Sequence, residues 1–347
     1  MFYMLTAKDM KKQKIKISII VPTLNRGDSL TCFLKSLQKI GTLNRNDTEV
    51  LIVNNNNDKE IIESTKNICD KFGVRFCHEA SPGKPYALNT GVIASNGKYL
   101  VFTDDDVEIY DPNWFDKMVS EFSKNKKLGY VSGNVIAYDK NTDVVKMWEK
   151  KGGLSKGLEK KYWSRSFLNS TIYKIKPWQF NKMCAGANCV IPKSILEEVG
   201  GYNILLESGI VGHGATLEIG YKIARSGYEL LYTPKSEVYH KHPKTQKELL
   251  CKMHIYGVGD TAYHMSIFLE FLDFRSLWWS LVGHSLYTIK NKLIPSLFGK
   301  YPFPPRFVLA GLKGNIVGPI LFAYSYVFLG GLKEKNEYRK FTQFNKK

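Results

Sequence analysis

The chain has 347 residues, of which 44% are hydrophobic and 13% aromatic, so it can bury a sizeable core and is unlike a disordered protein. Its formal net charge of +18 favours an anionic partner, such as nucleic acid, acidic lipid or a phosphorylated small molecule, without choosing among them. No two of the six cysteines are separated by two residues, which excludes zinc-ribbon and thioredoxin spacings and is typical of reduced thiols in a cytosolic protein.

The first part of the chain alternates short apolar runs with segments of helical periodicity. Buried strands are predicted at Ile17–Val21, Val50–Val53, Val74–Phe76 and Tyr99–Phe102. Helices are predicted at Leu30–Leu37, Ile61–Phe72, Ala87–Ile93 and Trp114–Phe122. Strands that alternate with helices in this way indicate βαβ units and a mostly parallel sheet flanked by helices.

The pattern weakens beyond Gly133. Residues 137–180 are rich in Lys, Trp and Tyr without a clean period, and we expect a long, partly irregular excursion. Order returns with a strand at Cys189–Ile191, a helix at Leu217–Ser226 and a strand at Glu229–Tyr232.

The C-terminal part is apolar and aromatic, in two segments at Leu277–Phe298 and Phe307–Leu332. Both contain charged or polar residues, so neither is a clean membrane span. Gly314 and Gly318 form a pattern of small residues that lets helices approach closely. We therefore expect a helical, apolar C-terminal extension.

Three consecutive carboxylates, Asp104, Asp105 and Asp106, follow the strand that ends at Phe102. Ligands of open parallel sheets bind at the carboxyl ends of the strands. If strand alternation persists, Asp104 and Asp106 lie on one side and Asp105 on the other. Two such carboxylates favour a hard cation, Mg²⁺ or Mn²⁺, between them. A solvated acidic turn is the alternative on this feature alone.

The motifs around this triplet resemble those of the family 2 glycosyltransferases, in the family's order and over roughly residues 17–242. The matching segments are Ser18–Arg26, Val50–Asn55, Gly83–Gly91, Phe102–Asp106, Ala185–Ile191, Val199–Tyr202, Ser226–Pro234 and Val238–His242. The resemblance implies a GT-A fold and an inverting transfer of a sugar from a nucleotide-diphosphate sugar, UDP-linked by preference, to a hydroxyl group. The sequence lacks the Gln-x-x-Arg-Trp element of processive synthases, which favours a single transfer per encounter.

The resemblance also implies roles for single residues. Asp104, Asp106 and His240 would bind Mn²⁺ or Mg²⁺, while His242 is assigned to the surface. Donor-binding residues would be Pro22, Thr23, Asn25, Arg26, Asn54, Asn55, Lys84, Asp104 and Asp105. Acceptor-binding residues would be Gly186, Ala187 and Asn188. Many family members carry Asp where this chain has Asn54 and Asn55, which leaves the nucleobase open.

The general base departs from the family pattern. An inverting transfer needs a carboxylate that takes the acceptor proton. The Glu-Asp pair that supplies it in the family aligns here with Ala215 and Thr216, neither of which is a base. We take Glu218, one helical turn further on, as first choice and Glu207 in the preceding loop as second.

We expect a catalytic domain over residues 15–245, with a donor half (15–135) and an acceptor half (136–245), and a membrane-associating helical region over residues 246–347. The protein would act on a glycan or lipid-linked acceptor at the cytoplasmic face of the membrane, without a signal peptide. Two rival functions stay open at this point: a non-catalytic scaffold that binds a nucleotide sugar, and a sugar nucleotidyltransferase. No motif supports nucleic-acid binding.

Overall fold

The computed structural model describes residues 15–328, apart from residues 152, 165, 170–179, 181 and 208–210. Its strands are β1 (Ile17–Thr23), β2 (Thr48–Asn54), β3 (Arg75–His78), β4 (Tyr99–Thr103), β5 (Val107–Glu108), β6 (Leu128–Ala137), β7 (Lys161–Trp163), β8 (Asn188–Pro192) and β9 (Glu229–His240). They form one sheet in the order β3-β2-β1-β4-β8-β6-β9-β5, with β7 paired to β9.

The sheet is parallel in its first half and mixed in its second. Strands β1 to β4 pair in parallel. They are connected through helices α1 (Gly27–Lys39), α2 (Lys59–Phe72) and α3 (Lys84–Ala94). Strand β8 runs antiparallel to both β4 and β6, and β9 runs parallel to β6. The prediction of a mostly parallel, mixed sheet flanked by helices is confirmed.

Helices cover both faces of the sheet, because each strand carries apolar side chains on both of its sides. The remaining helices of this region are α4 (Trp114–Lys124), α5 (Asp143–Lys150), α6 (Ser166–Asn169), α7 (Lys193–Glu198) and α8 (Ala215–Arg225). One core includes apolar residues of α1 and α4, and the other includes those of α3 and α8. Residues 137–180, expected to be irregular, contribute α5, β7 and α6.

A helical region follows the sheet. It contains α9 (Gln246–Phe271), α10 (Phe274–Trp278), α11 (His284–Thr288), α12 (Ile294–Leu297) and α13 (Pro305–Phe328). Two π-helical turns, Trp279–Gly283 and Ile289–Leu293, join α10 to α12. We call residues 274–297 the π-turn helix. No bounds were predicted for α9 within the region expected to be helical, although Thr245 and Glu248 form a capping box that marks its start.

The contact between α9 and α13 depends on glycines. A Cβ on Gly257 would lie 2.0 Å from the carbonyl oxygen of Gly311, and one on Gly314 would lie 2.3 Å from that of His254. The small-residue packing predicted for Gly314 and Gly318 is thus present. Helix α13 is the one helix among the described residues that is long and apolar enough to cross a membrane. That criterion is also met by core helices of soluble proteins, and 44% of its apolar window is buried. Residues 329–332 of the predicted second apolar segment lie outside the described residues.

Candidate active site

The acidic triplet lies in the link between β4 and β5, at the carboxyl end of β4. Asp105 turns toward the loop after β1, where it accepts hydrogen bonds from Thr23 Oγ1 at 2.6 Å and Arg26 Nη1 at 3.3 Å. Burial raises the pKa of Asp105 to about 6. Asp104 and Asp106 share the opposite side, as strand alternation predicts.

Strand pairing brings His240 to these two carboxylates. Strand β5 pairs with the end of β9, so that Val107 lies opposite His240. The amide of Lys241 also donates to the Asp106 carbonyl at 3.1 Å. As a result, His240 Nε2 lies 3.3 Å from Asp106 Oδ1 and 3.7 Å from Asp104 Oδ2.

The donor atoms of Asp104, Asp106 and His240 fit a divalent cation. Ligand atoms of all three lie within 4.8 Å of one another. His240 Nδ1 lies 2.6 Å from the Lys241 carbonyl, which can only accept, so Nδ1 carries a proton and Nε2 is the ring atom available to bind a cation. Asp106 Oδ1 is buried and has no hydrogen-bond partner among the described residues. Two carboxylate oxygens and an imidazole nitrogen suit Mn²⁺ or Mg²⁺.

Two cationic side chains flank the cluster. Lys84 Nζ lies 2.6 Å from Asp104 Oδ1, and Arg26 Nη1 lies 2.5 Å from Asp106 Oδ2. Burial raises the pKa of Asp104, but Lys84 and His240 outweigh it and hold this pKa far below its usual range. Arg26 and Lys84 therefore offer positive charge beside the carboxylates, where an anionic ligand would need it.

Most of the remaining predicted donor residues make hydrogen bonds to neighbouring parts of the protein. Asn54 is fully buried and donates to Thr65 Oγ1 at 2.9 Å. Asn55 donates to the carbonyls of Glu79 and Ser81 and accepts from the amide of Gly83, so it fixes the loop before α3. Thr23 is held by Asp105. Pro22 is half-buried and Asn25 exposed, which leaves them on the open side of the loop after β1.

The three predicted acceptor residues lie at or just before the start of β8. Asn188 is fully buried, and its amide donates to the carbonyls of Asn134 at 2.9 Å and Ser236 at 3.1 Å. Ala187 is also buried. A Cβ on Gly186 would lie 2.8 Å from Thr216 Oγ1, so Gly186 lets the start of α8 approach. In this geometry Asn188 ties strands together, and Gly186 is the one of the three nearest the start of α8.

Glu207, in the loop that precedes α8, folds back onto the start of that helix. Its Oε1 accepts from the amides of Gly214 at 3.1 Å and Ala215 at 3.2 Å. The carboxylate thus sits beside the position where the family's Glu-Asp pair aligns. Glu207 has a φ of 55°, a conformation that costs energy for a residue with a side chain and is enriched at functional sites. Its charge also contributes to the raised pKa of Lys84.

Glu218 has a different setting. It is fully buried between α8 and α9, where Asn203 Nδ2 donates to it at 2.7 Å and Ser266 also donates. Lys222 Nζ lies 3.4 Å from its other oxygen. This network joins the sheet region to α9 and leaves the carboxylate no exposed surface. The geometry therefore favours Glu207 over Glu218, the reverse of the sequence-based ranking.

Several residues near the site escaped the sequence analysis. His242, assigned to the surface, is buried, with its ring 6.1 Å from that of Trp148. Lys252 and Tyr256 come from α9, and the charges of Asp106 and Asp104 reach Lys252. No local motif marks them, because their position depends on how α9 packs back onto the sheet.

Comparison with known proteins gives a family match. Residues 18–200 match the family described as "Glycosyl transferase family 2". The poly-beta-1,6-N-acetyl-D-glucosamine synthase of Staphylococcus epidermidis is 26% identical over 246 residues, covering 70% of this chain and 54% of that protein. The GalNAc(5)-diNAcBac-PP-undecaprenol beta-1,3-glucosyltransferase of Campylobacter jejuni is 25% identical over 270 residues, covering 76% and 74%.

The aligned region is a smaller part of other relatives, making up 30%, 30% and 18% of the length of three further curated proteins. Among solved structures, the mannosyltransferase PcManGT of Pyrobaculum calidifontis, in complex with GDP-Man and Mn²⁺, has a TM-score of 0.55. The similarity covers 91% of this chain and 88% of that one at 14% identity, which supports a shared fold.

Proposed function

Since this chain belongs to glycosyl transferase family 2 and has its GT-A type of fold, we propose that it transfers a sugar from a nucleotide-diphosphate sugar to a hydroxyl group of a glycan or lipid-linked acceptor, with inversion at the anomeric carbon. The observation that carries the proposal is the cluster of Asp104, Asp106 and His240, flanked by Lys84 and Arg26. Polysaccharide or cell-surface glycan synthesis is the setting suggested by the names of the relatives.

Asp104, Asp106 and His240 would hold Mn²⁺ or Mg²⁺, whose charge stabilises the departing nucleoside diphosphate. Arg26 and Lys84 exchange their contacts with the carboxylates for contacts with the diphosphate oxygens. Charge-assisted hydrogen bonds of this kind are stronger than neutral ones. Asp105, which holds Thr23 and Arg26, positions the loop after β1 and so acts on the donor through that loop.

For the transfer itself, we assign the general base to Glu207. The acceptor oxygen attacks the anomeric carbon, the bond to the diphosphate breaks, and the acceptor proton passes to the carboxylate. Glu207 Oε1 is fixed by two amides of α8, and Oε2 makes no hydrogen bond with any described residue. Glu218 stays a second candidate, disfavoured by its burial.

For the nucleoside, we propose uridine, with Pro22, Thr23, Asn25 and Arg26 in the loop that faces it. Asn54 and Asn55 would hold the pocket in shape without contacting the base, because their side-chain amides donate to Thr65 and to the loop before α3. On the acceptor side, we place Gly186, Ala187 and Asn188, of which Gly186 lies against Thr216 at the start of α8, where Glu207 is held. We retain the division into a catalytic domain (15–245) and a helical region (246–347).

The helical region is the surface that we assign to membrane contact, at the cytoplasmic face. Large apolar side chains are exposed along the π-turn helix and along α13: Phe274, Trp278, Leu281, Leu286, Ile294, Leu297, Ile316, Ile320, Tyr324 and Val327. Basic residues accompany them: Lys290, Lys300, Arg306 and Lys313. Apolar side chains beside basic ones are typical of peripheral binding to anionic lipid. The protein should sediment with phosphatidylglycerol vesicles. Recovery wholly in the supernatant would contradict this assignment.

The decisive experiment is a thermal-shift comparison of UDP, GDP, CDP and TDP, each with Mn²⁺ and with a chelator. A ligand present at 100 times its dissociation constant stabilises the folded state by about 2.7 kcal/mol. We expect a shift with UDP that requires Mn²⁺. The absence of a metal-dependent shift with every nucleotide would overturn the proposal.

A scaffold that binds the donor without turnover is the second candidate, favoured by the replacement of the Glu-Asp pair by Ala215 and Thr216. Release of the sugar from the donor in the presence of Mn²⁺ separates the two functions, because only an enzyme hydrolyses its donor slowly when no acceptor is present.

A further inference from the structure

A group of lysines lies where the helical region meets α5. Lys151 Nζ lies 5.8 Å from the ring of Trp148 and 5.4 Å from that of Phe303. Lys252 Nζ lies 5.7 Å from the same Trp148 ring and 5.6 Å from that of Tyr256. Trp148 and Phe303 are themselves 6.1 Å apart. Residues from α5, α9 and the segment before α13 therefore pack together, with Lys151 and Lys252 both beside the Trp148 ring and the charge of Lys292 reaching Lys151. We call the surface that these three lysines share the lysine cleft.

The cleft holds more positive charge than its carboxylates balance. Lys151, Lys252 and Lys292 form no ion pair within the part of the chain that the structure describes. Asp260, the carboxylate whose charge reaches Lys151 and Lys292, lies 3.7 Å from His284. Surrounding protein groups and then the charge of Lys292 lower the pKa of Lys151 to about 7. The Lys151 side chain keeps exposed surface through which an anion from solvent could reach it. An anion placed between these ammonium groups would relieve their repulsion.

The lysine cleft continues into the proposed site of transfer. The ring of Tyr256 lies 4.8 Å from that of His213, and His213 Nδ1 lies 3.7 Å from Glu207 Oε1. On its other side, Lys292 has the exposed apolar residues Leu286 and Ile294 near it in the π-turn helix. The cleft thus connects the side of the site that holds the proposed base with the apolar surface of the helical region.

On the basis of the proposed function, we propose that the lysine cleft is an acceptor-side anion site, which binds the phosphate or diphosphate of an amphiphilic acceptor through Lys151, Lys252 and Lys292. The acceptor's hydrocarbon chain lies along the exposed side of the π-turn helix, and its sugar reaches toward Glu207. The site adjoins the donor diphosphate site, since the charges of Asp106 and Asp104 reach Lys252, but it does not use those carboxylates.

The first test measures binding of inorganic diphosphate to the full chain by calorimetry, in a chelating buffer that removes divalent cations. Without a cation, the carboxylates of the donor site disfavour diphosphate, so the lysine cleft dominates the measurement. We expect Lys151→Gln and Lys292→Gln each to weaken binding about tenfold, the loss of one charge-assisted hydrogen bond. Lys150→Gln is the matched control, since Lys150 is the neighbouring exposed lysine.

A variant that is expected to bind diphosphate more tightly excludes misfolding as the cause of a changed affinity. Asp260→Asn removes the carboxylate that competes with the anion, and we expect it to tighten diphosphate binding about threefold. A gain in affinity cannot result from loss of folded protein. Equal affinity in the unaltered protein, Lys151→Gln and Lys292→Gln, or no binding at all, would overturn the proposal.

The second test distinguishes a lipid-borne group from free diphosphate. Phosphatidylcholine vesicles are prepared with a small fraction of a long-chain polyprenyl diphosphate, or with phosphatidylglycerol of equal charge. We expect binding to the polyprenyl diphosphate to exceed binding to phosphatidylglycerol, and the excess to disappear in Lys151→Gln. If inorganic diphosphate binds but the lipid-borne form gives no excess, the acceptor assignment is wrong.

The result of the diphosphate experiment does not depend on whether the proposed donor site is correct. A protein that fails the metal-dependent nucleotide experiment but binds diphosphate through Lys151 contradicts the proposed function and leaves an anion site. The converse result, a nucleotide shift without diphosphate binding in the chelating buffer, contradicts the lysine cleft alone.

Discussion

The carboxylates at the end of β4 and the carboxylate of Glu218 are both surrounded by protein, but their settings differ. Asp104 and Asp106 keep some exposure, face cations on one side and leave Asp106 Oδ1 without a hydrogen bond among the described residues. Glu218 has no exposure and is held by Asn203, Ser266 and Lys222. Glu218 Oε2 is likewise buried without a hydrogen bond within the described part of the chain, so the difference between the two regions lies in exposure. A carboxylate with no exposed surface is suited to architecture, whereas partly exposed carboxylates beside Arg26 and Lys84 are suited to binding a ligand.

The largest effect is expected at the exposed pair. Asp106→Ala should abolish measurable donor turnover and the Mn²⁺-dependent shift with UDP. Loss of a residue that merely orients a metal ligand costs 10–100-fold in affinity or activity, so loss of a ligand should cost more than about 100-fold. Asp143→Ala, on the exposed start of α5, is the control. If Asp106→Ala processes donor normally, the contrast between the two regions has no functional meaning.

The next prediction sharpens the choice between the two glutamates. Glu207→Gln should lower the rate of transfer by about 10²- to 10⁴-fold, the usual contribution of a general base. The Mn²⁺-dependent thermal shift with UDP should be kept in this variant, which separates a loss of the base from a loss of the folded donor site. Glu159→Gln, at an exposed position, is the control. Normal turnover in Glu207→Gln would remove it from the mechanism.

At the buried carboxylate we expect a loss of stability instead. Glu218→Gln leaves the buried Lys222 without its ion pair and should lower the free energy of unfolding by about 3 kcal/mol. The double variant Glu218→Gln/Lys222→Met should recover much of this, since it removes the uncompensated charge. Denaturant unfolding measures both. Unchanged stability together with lost turnover would instead identify Glu218 as the base.

The smallest effect tests whether the helical region belongs to the same cooperative unit as the sheet. Gly257→Ala places a Cβ against the Gly311 carbonyl and should destabilise the protein by about 1–3 kcal/mol. Gly311→Ala is the matched control on the facing helix, because its Cβ would meet Met253 only at ordinary contact distances. A single unfolding transition that shifts in Gly257→Ala supports one unit. Two transitions, with one unmoved, would separate the regions.

Local sequence patterns, namely apolar runs and helical periodicity, predicted a large part of the fold. Apolar runs at Ile17–Val21 and Tyr99–Phe102 lie within β1 and β4, and the helices between the strands follow the predicted periodicity. The predictions were weakest where partners are distant. The sequence indicated β9 only as far as Tyr232, yet it continues to His240 through its pairing with β6 and β5.

The sequence by itself determined the sheet, the family and the two carboxylates on one side of a strand end, because strand alternation and motif order are local properties of the chain. Only the tertiary structure decided that Glu218 is enclosed, that Glu207 accepts from amides at the start of α8, and that Lys151 and Lys252 lie beside one Trp148 ring. Burial and charge depend on what packs against a side chain, and for these residues the neighbours come from segments whose contact no local pattern encodes.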